Sequence, residues 1–191
     1  EYVNEILEKV NSVMTQFQNL EQNRSYIENF KELQQEIDKL PVALPSVATP
    51  LKELLSKASN LALRLRILKE HSGRNKLDKG KVEQFLQDYQ DSPVKLEEAE
   101  YILEDLDYGH QVLEEAHQVL SQPEVTLERL NEITGKLNNM QVHMGEEERE
   151  VRVKIWKTKV QLAKSEKVNF PALAGWYHEG QQMRDFNLTE E

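Results

Sequence analysis

Few side chains in these 191 residues stand at spacings that chemistry uses. His110, Glu114 and His117 fall at i, i+4 and i+7. On a helix that spacing gathers two imidazoles and a carboxylate on one face, a donor set a metal ion accepts. The order of residues matches no zinc signature and nothing supplies a further ligand, so we read the trio as the polar face of an amphipathic helix. Glu104 and Asp105 are adjacent carboxylates, the raw material of acid–base catalysis. Nothing around them marks a pocket that would set their proton affinities apart. With no Cys in the chain there is no thiol nucleophile, no Cys-ligated zinc and no disulfide framework. A Gly-rich phosphate loop, Gly-x-Ser-x-Gly and His-Glu-x-x-His are also missing. The expectation is a chain with no catalytic residue, no metal and no cofactor.

Charge offers binding chemistry instead. Thirty-four acids against 24 bases give a net charge of −10, which argues against a protein that simply coats DNA. Two segments run against that balance. Arg64, Arg66, Lys69, Arg74, Lys76, Lys79 and Lys81 crowd one; Arg152, Lys154, Lys157, Lys159, Lys164 and Lys167 crowd the other. Such bases can meet DNA phosphates weakly or an acidic partner surface, or they can be solvated charges matched to helix C-termini. Between them Glu97, Glu98, Glu100, Glu104, Asp105 and Asp107 occur with no Lys or Arg interleaved. That stretch suits a basic partner, or serves solubility.

The elements that must carry these groups are helices. The six prolines, at 41, 45, 50, 93, 123 and 171, stand at joints between stretches of 3.6-residue apolar periodicity. We read helices over about 2–20, from 26 to 40, from Pro50 to Lys69, from 77 to 89, from 96 to 120, from 127 to 140, from 146 to 165, and a last short one around Leu173–Met183. The first carries Val3, Ile6, Leu7, Val10, Val13, Met14 and Phe17 on one stripe. Gly109 interrupts a strong helical pattern at a cost of about 1 kcal/mol relative to Ala, which suggests a close helix crossing. Trp176 and Tyr177 read as core or as the end cap of an array. Apolar runs are broken by charge within a few residues, so neither a membrane span nor a signal peptide is expected.

A corner pattern recurs. Leu40-Pro41-Val42-Ala43-Leu44 is echoed by Ser92-Pro93-Val94-Lys95-Leu96, by Met140-Gln141-Val142-His143-Met144 and, loosely, by residues 184–188. Each copy follows a short helix and, where the chain continues, precedes a long one. A single short-plus-long pair cannot bury its stripe, so neighbouring pairs must stack. The expected fold is all-α. It is an elongated array of alternating short and long antiparallel helices, a helical-hairpin repeat of spectrin-like or solenoid-like kind. It would fill residues 1–191 as one domain cut from a larger protein, with corners near 40–44, 92–96, 140–144 and 184–188. Pro41, Val42, Leu44, Pro93, Val94, Leu96, Val142 and Met144 are its structural corners, the apolar ones tucked beneath the turns.

Leu40-Pro41-Val42-x-Leu44 and Pro93-Val94-x-Leu96, with the helices between them, resemble the PLU-type helical domain of JARID-family histone lysine demethylases. The resemblance spans roughly residues 25–188. It implies a non-catalytic scaffold inside a nuclear, chromatin-modifying parent, one that spaces a catalytic core from reader domains. The implied partners are other domains of the parent and protein subunits of a chromatin complex, with no membrane. Such parents use iron and 2-oxoglutarate held by a His-x-Asp or His-x-Glu pair and a distant His. Here the five histidines continue as His71-Ser-Gly, His110-Gln-Val, His117-Gln-Val, His143-Met-Gly and His178-Glu-Gly, and none fits. A cytoskeletal or coiled-coil adaptor of spectrin-like type is the competing expectation.

Overall fold

The computed structural model describes residues 2–72, 76–165 and 170–182. Among them are eight helices: α1 (Tyr2–Gln22), α2 (Ile27–Asp38), α3 (Pro45–Ser72), α4 (Lys79–Gln90), α5 (Glu97–Leu120), α6 (Leu127–Asn139), α7 (Glu146–Ser165) and α8 (Phe170–Gln182). The protein is all-α in class. Four extended segments of two residues each interrupt the helices: β1 (Ser25–Tyr26), β2 (Leu77–Asp78), β3 (Val94–Lys95) and β4 (Val142–His143). β1 and β3 pair in parallel, Ser25 opposite Val94 and Tyr26 opposite Lys95. Apolar periodicity does not reveal such short pairings.

The helix starts follow local chemistry. Asp78 accepts a hydrogen bond from the Lys81 N–H at the head of α4, and Thr126 does the same for Arg129 at the head of α6. α3 begins at Pro45 rather than Pro50, because Pro45 takes the first helical position, where a missing N–H costs nothing. The Leu44 carbonyl accepts from the Val47 and Ala48 N–H groups there. Pro50 therefore lies inside the helix, leaving the Ser46 carbonyl of the first turn without its usual i+4 donor.

The described chain falls into two compact units, Glu1–Glu104 and Asp105–Glu191. In the first, α2 packs on α1 and α3, and α3 on α4. Its core is Val13 and Phe17 of α1; Phe30, Leu33 and Ile37 of α2; Leu51, Ala58, Leu61 and Leu65 of α3; and Val82, Phe85, Leu86 and Tyr89 of α4. The α1 stripe is covered only in part. Val13 and Phe17 are buried, whereas Val3, Leu7 and Met14 are 66, 53 and 40 % exposed. In the second unit α7 packs on α6 and α8 around Val112, Leu113, Leu130, Ile133, Leu137, Val151 and Ile155.

Two glycines of the second unit mark close approaches. A Cβ on Gly109 would sit 2.7 Å from Met144 Sδ, so the expected close crossing is present. A Cβ on Gly180 would sit 2.8 Å from the Trp156 ring, whose Nε1 donates to the Trp176 carbonyl at 3.0 Å. Trp176 is buried and Tyr177 exposed.

Candidate functional site

Polar side chains, buried or half-buried, close two of the helix corners. At the corner before α5, the Tyr89 hydroxyl accepts the Leu96 N–H at 2.9 Å and donates to the Glu100 carboxylate. Burial first, and that bond second, push the Tyr89 phenol up to about 12. Arg24 lies over the Tyr89 ring, 4.8 Å from its centroid, and its Nε donates to the Ser92 carbonyl at 3.0 Å. Its guanidinium stands 3.8 Å from Glu100. To reach this position Arg24 adopts φ +37°, a left-handed conformation that glycine ordinarily supplies after a helix. The β1–β3 pair lies beside it, with Lys95 Nζ over the Tyr26 ring.

The corner before α7 is closed by equivalent means. Glu148, 3 % exposed, accepts from the Met144 N–H at 3.0 Å and lies 2.8 Å from His143 Nδ1. Arg152 bridges Glu148 to the Leu137 carbonyl and the Asn138 side chain. Gly145, at φ +69°, makes the turn. Glu100 and Glu148 stand at the same offset from Val94 and Val142, and both valines are fully buried. At the first corner the residue at that offset is Ala48, which has no acceptor to offer.

That difference corrects the corner expectation. Val42 is 41 % exposed and Pro41 is exposed, with Leu44 half-buried, so this corner tucks no valine beneath itself. Leu96 and Met144 are buried as expected, and Pro93 is half-buried. The signal for the polar anchors was present in the repeat, as Leu96-x3-Glu100 and Met144-x3-Glu148. The partners Arg24, Tyr89 and Arg152 stand at no repeat-related spacing and emerge only from the fold.

The charged stretches are largely engaged. Arg64 pairs with Asp88 at 2.7 Å, Arg66 with Glu70 at 2.8 Å, Lys69 with Glu98 at 2.9 Å and Lys79 with Glu83 at 3.8 Å. Glu97 accepts from the Tyr101 hydroxyl, and Glu100 belongs to the corner anchor. Glu104 and Asp107 are exposed; Asp105 and Lys76 are half-buried. Lys159, counted with the solvated bases on sequence grounds, is 2 % exposed. Its ammonium donates to Thr134 Oγ1 and lies 3.5 Å from Glu179, and burial pulls its pKa below the ordinary lysine value. Lys157 and Lys164 lie on α7; Arg74, Lys167 and the corner at 184–188 lie outside the described residues. His110, Glu114 and His117 are all exposed on α5, and His117 faces Glu147 at 3.5 Å. Among the described residues no three His, Asp or Glu side chains gather as metal ligands, and no helix is long and apolar enough to cross a membrane.

The concave surface of the first unit lies along α3. A hollow of about 320 Å³ opens between Arg64, Ile67 and Leu68 of α3 and Lys81 and Phe85 of α4. A second, of about 430 Å³, continues it between Leu54, Lys57 and Leu61 and the Asp88–Pro93 turn, with Arg64 lining both. On another side of α3, a hollow of about 590 Å³ is lined by Ile27, Leu63 and Leu96 beside the Lys69–Glu98 pair. These are open clefts walled by aliphatic and charged groups.

Compared with protein-family models, with curated proteins and with solved structures, the chain matches none.

Proposed function

We propose that this chain is a non-catalytic helical scaffold and docking module of a nuclear, chromatin-modifying protein similar to the JARID-family demethylases. The observation that carries the reading is how polar side chains close the corners before α5 and α7. Tyr89, Glu148 and Arg152 point into corners and satisfy backbone N–H and C=O groups there, and Glu100 accepts from the Tyr89 hydroxyl. A buried, satisfied polar group rigidifies its surroundings, and a spacer between a catalytic core and a reader needs rigid corners above all. On this reading the corners near 42, 94, 142 and 186 belong to one repeat, and helices of about 25 residues supply rods of roughly 35–40 Å. The partners are neighbouring domains of the parent and subunits of its complex, met through charged helix faces and the α3–α4 cleft. The PLU-type corners Leu40-Pro41-Val42 and Pro93-Val94 are what direct the reading to chromatin rather than to a membrane skeleton.

The test is proximity labelling with a biotin ligase inserted at the native locus. Enrichment of chromatin-complex subunits is expected. Enrichment of actin-associated or membrane-skeleton proteins would overturn the chromatin reading in favour of a spectrin-like adaptor. Removal of a methyl group from a methylated histone peptide by the purified chain, with iron and 2-oxoglutarate supplied, would overturn its non-catalytic part.

A further inference from the structure

Two surfaces of the first unit are left without a partner, and they complement each other. One is the cleft between α3 and α4. Its α3 wall presents Leu54, Lys57, Leu61, Arg64, Leu68 and His71, at alternating steps of three and four residues. That is the ridge spacing into which another helix packs. The other is on α1, where Val3, Leu7 and Met14, four and seven residues apart, stand exposed. The 17 residue steps from Leu54 to His71 give a seat of roughly 25 Å, longer than the apolar stripe of α1.

Charge agrees with shape. Lys57 and Lys81 line the cleft, and among the described residues neither is paired with a carboxylate. Glu5 and Glu8 flank Val3 and Leu7 on α1 and are likewise unpaired. We infer that the α3–α4 cleft receives α1 of a second copy of this chain. The apolar stripe of one copy covers Ile67 and Leu68 of the other, and Glu5 and Glu8 meet Lys57 and Lys81. The exchange is reciprocal, so a dimer holds two helices in two clefts, as two-fold symmetry requires. A nucleic acid is the poorer occupant: the cleft carries Asp88 and Asp91, and a phosphate backbone has no apolar group to cover Ile67. The inference rests on the docking-module reading and names the partner of one face.

Sedimentation velocity over a concentration series tests it, with charge exchange as the decisive arm. The unaltered chain should dimerise reversibly. Ile67→Asp and Leu7→Asp change exposed side chains, so folding should survive, as thermal melting by circular dichroism would verify; each should weaken dimerisation by about tenfold or more. The pair Glu5→Lys/Glu8→Lys and the pair Lys57→Glu/Lys81→Glu should each do the same, and an equimolar mixture of the two doubly altered chains should recover the dimer as a heterodimer. A monomer at every concentration, a dimer indifferent to Ile67→Asp, or no recovery in the mixture would overturn the inference. Stronger binding of labelled duplex DNA, lost on Lys57→Glu/Lys81→Glu, would hand the cleft to nucleic acid and also overturn it. A monomer that still labels chromatin subunits leaves the scaffold reading standing, whereas a dimer that labels none removes that reading alone.

Discussion

At the scale of single residues, Tyr89 carries the heaviest load. Its hydroxyl serves the Leu96 N–H and Glu100 together, while its ring supports Arg24 and stacks on Phe85. Tyr89→Phe leaves the Leu96 N–H without an acceptor and should cost about 1–3 kcal/mol in urea unfolding near neutral pH. The pH dependence has a definite sign. The folded phenol titrates at about 12, above its ordinary value of 10.0, so its contribution is complete below pH 10 and is lost as pH climbs toward 12. The stability gap between the protein and Tyr89→Phe should therefore narrow across that window; a gap that widened would contradict the assignment. Arg24 shows why some of this escaped the sequence. Its left-handed backbone is a place for glycine, and only the geometry of the corner reveals that a guanidinium is needed there.

At the scale of elements, the helices and their order were legible because apolar residues recur with the helical period and prolines stand at the joints. The errors have local causes. α3 starts five residues early because two prolines compete for its first turn and Pro45 takes it. The two-residue β segments are too short to leave a periodic trace. Gly109 was readable because an unneeded glycine in a helix demands a reason, and Met144 supplies it at 2.7 Å. Gly109→Ala should gain about 1 kcal/mol of helix propensity and lose about 1–3 kcal/mol to overpacking, a net destabilisation. In a Met144→Ala background the crowding is gone, and the same substitution should become stabilising. A double-mutant cycle by chemical denaturation measures that reversal; additive effects would show that the two residues do not press on each other.

At the scale of the molecule, a net charge of −10 coexists with ion pairs that engage much of the first basic stretch. The periodicity of α3 was visible in its sequence, but which of its faces would remain open was not, since that depends on how much of it α2 and α4 cover. The corners differ in how they are closed. Two of them have a glutamate six residues after the valine and close over it; the first has Ala48 and stays open. A fold built this way should open unevenly. Native-state amide hydrogen exchange by NMR tests this most directly. The Leu96 and Met144 N–H groups, held by Tyr89 and Glu148, should exchange more slowly than those of Val42 and Ala43 by about a thousandfold or more, opening only with the units themselves. Equal exchange at all three corners would contradict the claim that buried polar anchors hold this chain in shape.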